Sequence, residues 1–265
     1  MINKLIPLII LLLCLAACTP APQPAEPTAM PTETAAPPTE PTPTTLPAEA
    51  PSVAESQPVH SQLYIPGVDV EYVVQCFSEV CLDAEYTISG DASLLQKWAD
   101  PILYTINGDP TEKDLAVLAE FTAWLNTIDG FPGMVEVDSP GIANLRFHFC
   151  SRSEMLDLMG KNYKGLDGAM TFWYSNDEIY DAIICVRTDL DQYVRNSVIL
   201  EEIYNALGPA QDTDLRKDSI IYSGYSEPQS LTEIDELILK LLYHPDLSCG
   251  MSAAECEALI RQLYY

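Results

Sequence analysis

Twelve of the forty residues from Thr19 to Pro58 are proline, and this one stretch limits where a fold can form. The rest of it is mostly threonine, alanine and glutamate, with no aromatic residue and no lysine or arginine. Such a composition cannot bury enough apolar surface to offset chain entropy, so the segment is expected to be disordered with polyproline II bias. Fully extended, it would reach on the order of 120 Å. Any packed core therefore has to come from residues 60–265, read as one domain because no second linker or repeat interrupts them.

Ahead of the linker, Met1–Ala17 carries one early cation, Lys4, then an apolar run from Leu5 to Leu15 and the small pair Ala16-Ala17. That is the layout of a secretory signal, and the run is too short for a stable membrane span. Leu15-Ala16-Ala17-Cys18 resembles a bacterial lipobox, in which the cysteine is lipidated and becomes the mature N-terminus. The expected organisation is a signal peptide at 1–17, a lipidated N-terminus and linker at 18–59, and the domain at 60–265. The bilayer would be reached through Cys18, placing the domain outside a bacterial cell membrane where disulfides are permitted. Ordinary signal cleavage, with Cys18 incidental, is the alternative.

With 39 acidic residues against 13 basic, the formal net charge is −26. A nucleic-acid backbone would be repelled, so no nucleic-acid partner is expected. Patterning within the domain gives a series of elements. Tyr72–Cys76 and Cys81–Ile88 read as strands, and Ile102–Ile106 as a strand ended by Asn107-Gly108. Thr111-x-x-Asp114 reads as a capping box opening a helix striped by Leu115, Leu118, Thr122, Leu125 and Ile128. Leu145, Phe147 and Phe149 alternate with polar partners as in a strand. Strands over 168–173 and 179–186 are joined through Ser175-Asn176-Asp177. Helices follow at 191–207, stopped by Gly208-Pro209, behind Thr232-x-x-Asp235 with Ile234, Leu237, Ile238, Leu241 and Leu242 as its apolar stripe, and at 252–263. The fold class expected is α+β, with a mixed sheet.

Six cysteines fall in the domain: Cys76, Cys81, Cys150, Cys185, Cys249 and Cys256. An even number in an exported segment suggests disulfides. Proximity in sequence favours Cys76–Cys81 and Cys249–Cys256, leaving Cys150–Cys185; free buried thiols are the alternative. No C-x-x-C pair supports a zinc cluster. The histidines His60, His148 and His244 lack helical pairing spacing.

Residues 200–243 resemble the active-site stretch of the metzincin zinc proteases, matrixins above all. In those, a helix carries H-E-x-x-H, a glycine turn leads to a third histidine, and a buried methionine turn and a capped helix follow. Here Glu201 stands at the first histidine, Glu202 at the catalytic glutamate, Asn205 at the second histidine, Gly208 at the turn and Gln211 at the third ligand. Ile221, within Asp218–Tyr222, falls at the methionine, and Thr232 to Tyr243 matches the final helix. The pattern is closest to exported zincin-like proteins grouped as domain of unknown function 2927. The resemblance implies a zincin-like scaffold over about residues 96–246: a twisted sheet with an edge hairpin, an active-site-type helix and C-terminal helices.

All three zinc positions have lost histidine, and a carboxylate with two amides makes a poor zinc site, so neither zinc nor zinc proteolysis is expected. Two functional readings follow. In one, the cleft is a non-catalytic module that binds an extended polypeptide or a cell-envelope protein by strand addition. In the other, Glu201, Glu202 and Asp212 serve hydrolysis, alone or through a hard cation such as Ca²⁺ or Mn²⁺, with Glu202 the candidate catalytic group. A third possibility is that the glutamates only solvate or cap a helix and function lies elsewhere.

Overall fold

The computed structural model describes residues 61–82 and 94–265, all within a unit running from Ser56 to Tyr265. The signal, Cys18, the linker and His60 lie outside the described residues. The domain is a mixed α/β fold with six α-helices and a largely parallel sheet. Among the described residues no helix is long and apolar enough to cross a membrane.

The chain enters through a helix, α1 (Val70–Cys81), where the sequence suggested strands at Tyr72–Cys76 and from Cys81. Asp69 caps it by accepting from the Glu71 amide at 2.8 Å. Buried Val73, Val74, Phe77 and Val80 recur at helical spacing. A five-residue stretch with four apolar or aromatic members, Tyr72 to Cys76, is compatible with either period, and only the longer window separates them. Residues 83–88 lie outside the described residues.

Next come β1 (Lys97–Trp98), β2 (Ile102–Gly108), α2 (Glu112–Leu125), β3 (Met134–Glu136) and β4 (Leu145–Cys150). The capping box at Thr111 and Asp114 forms as expected. After β4, a Ser151/Glu154 capping box opens α3 (Arg152–Met159), a helix the hydrophobic pattern gave no hint of because only Met155 is buried. The hairpin β5 (Gly168–Ser175) and β6 (Glu178–Arg187) turns on Asn176 and Asp177, both with positive φ (53° and 63°). Asparagine and aspartate tolerate that region better than other side chains.

Strand β6 organises the sheet. β5 runs antiparallel along one edge of it, from Ser175↔Glu178 to Gly168↔Val186. β1 pairs parallel with Glu178–Ile179, and β4 pairs parallel with Ala182–Arg187. Since a strand has two edges, β1 and β4 share the other one, β2 and β3 continue outward from β4, and β5 is left as the antiparallel border. Leu145, Phe147 and Phe149 point into the main core with Tyr104, Ala182, Ile184 and Val186. The opposite face holds a smaller core of Cys150, Met155, Ala169 and Cys185 under α3.

The last elements are α4 (Gln192–Ala206), α5 (Glu233–Leu242) and α6 (Ala253–Leu263), at the positions the caps and stops indicate. The six domain cysteines are free thiols. The expected Cys76–Cys81 pairing is not met, because five positions on one α-helix point about 140° apart. Cys76 faces Tyr72 and Arg216, whereas Cys81 lies near Cys256. Cys249 contacts the Lys97 carbonyl at 3.6 Å. Cys150 and Cys185, on neighbouring strands, lie close enough for each thiol to affect the other's proton affinity.

Candidate functional site

The site is built on α4, and both ends of that helix are fixed. At its start the buried Arg195 donates Nε to Asp114 Oδ1 at 2.8 Å and Nη1 to the Thr188 carbonyl at 2.9 Å. Gln192 adds a bond to the same carboxylate at 2.7 Å. Burial pushes the Asp114 carboxyl up, but hydrogen bonds from Thr111, Gln192 and Arg195 outweigh this and hold it below the usual range. One carboxylate thereby joins the cap of α2 to the first turn of α4.

At its end, the last carbonyls find side-chain donors. Trp98 Nε1 reaches Ala206 O at 2.9 Å and Tyr243 Oη reaches Leu207 O at 2.7 Å. Gly208 follows with φ +130°, and a Cβ there would stand 2.7 Å from the Gln96 carbonyl oxygen. The chain then returns through a turn in which Thr213 N donates to Ile221 O at 2.8 Å. Ile221 is fully buried. Asp235, wholly buried, accepts from Arg216 Nη2 at 2.5 Å, Ser219 Oγ at 2.7 Å and its own cap residue Thr232. This ties the turn to the start of α5.

Between these fixed ends lie Glu201, Glu202 and Asn205. Glu201 is half-buried, and Glu202 and Asn205 are 8% and 9% exposed. Neither glutamate has a hydrogen bond or ion pair among the described residues. Burial and the nearby Asp212 and Asp167 push the Glu201 carboxyl up to about 7. Burial, Glu201 and Asp212 push Glu202 well above the ordinary carboxylate range. The three acids singled out from sequence are thus brought together, with Asp212 exposed in the loop after Gly208. Gln211 is half-buried beside it.

Asn205 Oδ1, one turn beyond Glu201, is buried without a hydrogen-bond partner, and so is Ser197 Oγ one turn before it. Against the same stretch runs β5. A Cβ on Gly168 would lie 2.4 Å from Val198 Cγ1 and 2.6 Å from Glu202 Oε1, so glycine is what lets strand and helix approach. Beyond this contact, no backbone bond engages the outer edge of β5 among the described residues. Phe172 is half-buried and Trp173 and Tyr174 are exposed along it.

Three contributors escape sequence reasoning. Asp167 sits just before β5 and pairs with Arg187 Nη1 at 2.6 Å; only its Asp-Gly turn signal marks it. Tyr225, 78% exposed, lies within electrostatic reach of Asp167 and donates to Glu227. Ser197 carries no signal beyond its position. His148 lies on β4, where burial and Arg146 hold its pKa down, and His244 follows α5 with Nδ1 3.7 Å from Asp246. Among the described residues no three His, Cys, Asp or Glu side chains are grouped so as to hold a metal ion.

Residues 70–262 match the model of the family described as protein of unknown function DUF2927. The chain belongs to this family. No curated protein matches it. Membership of the DUF2927 family covers α1 through α6 and so includes the acidic stretch of α4, β5 and the buried turn as parts of one unit.

Proposed function

We propose that this DUF2927 protein is an exported lipoprotein, held on the outer face of a bacterial cell membrane by lipidated Cys18. Its domain is a degenerate metalloprotease-like module that binds an extended polypeptide without cleaving it. The observation that carries the reading is the unpaired edge of β5, a strand packed at Gly168 against α4; in the sequence resemblance Glu201, Asn205 and Gln211 align with the zinc-ligand positions. An open strand edge offers a row of main-chain donors and acceptors to an incoming chain. The order of antiparallel border strand, glycine-stopped helix, buried turn and capped helix supports a zincin-like scaffold. Without imidazole ligands no Lewis acid is held there to activate water.

Hydrogen exchange of the purified protein, with and without a random heptapeptide library, tests this. Alternate amides of 168–175 should slow on adding peptide, and the peptides should remain intact with or without added zinc. Unchanged exchange along β5, or zinc-dependent cleavage, overturns the proposal.

A second reading has one observation in its favour. Glu201 near 7 beside the exposed Asp212 is a pair of carboxylates in different environments, the usual arrangement for acid–base hydrolysis at neutral pH. Turnover of a polymeric substrate that is lost in Glu201→Gln would favour it.

A further inference from the structure

The recess on α4 contains acceptors with nothing to accept from. Glu201, half-buried, and Glu202 have no hydrogen-bond donor among the described residues, and Asn205 Oδ1 is buried without a partner at 9% residue exposure. Side chains at i and i+4 share a helix face and lean toward its N-terminus, so the Asn205 amide leans toward Glu201. A native fold rarely leaves a buried oxygen such as Asn205 Oδ1 unanswered, since doing so costs about 1–3 kcal/mol. The surroundings do not supply the answer. Asp212 and Asp167 add negative charge, Cys185 lies near Glu202 from β6, and Arg187, which pairs with Asp167, is committed to Asp167 and Asp189.

We propose that the recess formed by Glu201, Glu202 and Asn205 takes a cationic side chain, arginine or lysine, of the polypeptide held along β5. This deepens the polypeptide-binding reading and rests on it. A guanidinium has five N–H donors in a fixed fork, enough to serve both carboxylates and the amide oxygen together. Its N–H groups reach acceptors at hydrogen-bond distance and tolerate a spread that a bare divalent ion, needing oxygens at 2.3–2.6 Å for calcium, does not. Tyr225, exposed beside Asp167, supplies an aromatic face on the approach.

The test uses three fluorescent, end-blocked heptapeptides of alternating threonine and valine, with arginine, glutamine or glutamate at the centre. Binding to the full chain is read by anisotropy at pH 8. The arginine peptide should bind at least tenfold tighter than the glutamine peptide, and the glutamate peptide weakest. Glu201→Gln should bring the arginine-to-glutamine ratio close to one; Glu202→Gln serves as a second variant if the first is not folded by circular dichroism. Equal affinity for all three peptides overturns the cation site but leaves strand addition standing. Binding of none overturns both. Stoichiometric calcium or manganese binding that displaces the arginine peptide would show a metal site instead.

Discussion

Glu202 and Glu201 carry carboxyl groups whose proton affinity is raised by folding, and this fixes the sign of their effect on stability. A carboxyl with a raised folded-state pKa binds its proton more tightly in the native state. Its contribution is complete below the unfolded value near 4.5 and is lost as pH rises through about 7 for Glu201. For Glu201 the upper bound is roughly 3.5 kcal/mol, since each pKa unit is about 1.4 kcal/mol. Urea denaturation at pH 5 and pH 8 should show the wild type losing stability with rising pH, and Glu201→Gln losing clearly less. Identical slopes would contradict the buried, donor-free environment. The thiols behave differently. Burial and then Cys150 push Cys185 up to about 12, so it stays protonated and is no nucleophile at neutral pH.

At the scale of elements, the contact between β5 and α4 is the most sensitive joint. Gly168→Ala puts a methyl where Val198 Cγ1 and Glu202 Oε1 already stand, 2.4 and 2.6 Å away. The helix or the strand must shift, at a cost of about 1–3 kcal/mol. A thermal melt should register the loss; a melt unchanged from wild type would mean that the helix does not rest on the strand. The helix α1 makes a second prediction. Because Cys76 and Cys81 point to different sides of it, peptide mapping of unreduced protein should find no Cys76–Cys81 link. Cys150–Cys185 is the pairing the sheet supports, since those thiols lie side by side in the small core on neighbouring strands. Detection of a Cys76–Cys81 disulfide would require α1 to unwind.

For the whole molecule, the export reading is tested at one atom. Radiolabelled fatty acid should enter the wild type and be lost in Cys18→Ser, with the variant released from the membrane fraction. Labelling that survives the substitution would refute the anchor.

The sequence by itself determined the elements whose signals are local. Thr111/Asp114 and Thr232/Asp235 cap the helices they mark, Asn176-Asp177 turns the hairpin, Gly208 stops α4, and Leu145/Phe147/Phe149 face the core. Each depends on bonds or periods spanning a few residues. Tertiary structure decided what local patterning leaves open. It made Tyr72–Cys81 a helix, because Val73, Val74, Phe77 and Val80 found a core on one side. It placed α3 across the second face of the sheet, and gave β5 an open edge beside α4. It also turned two adjacent glutamates, unremarkable in sequence, into acids without a donor, Glu202 buried and Glu201 half-buried. Desolvation is a property of what packs around a group, and it leads the shift of both; Asp212 adds to each and Asp167 to Glu201, brought to α4 by the fold.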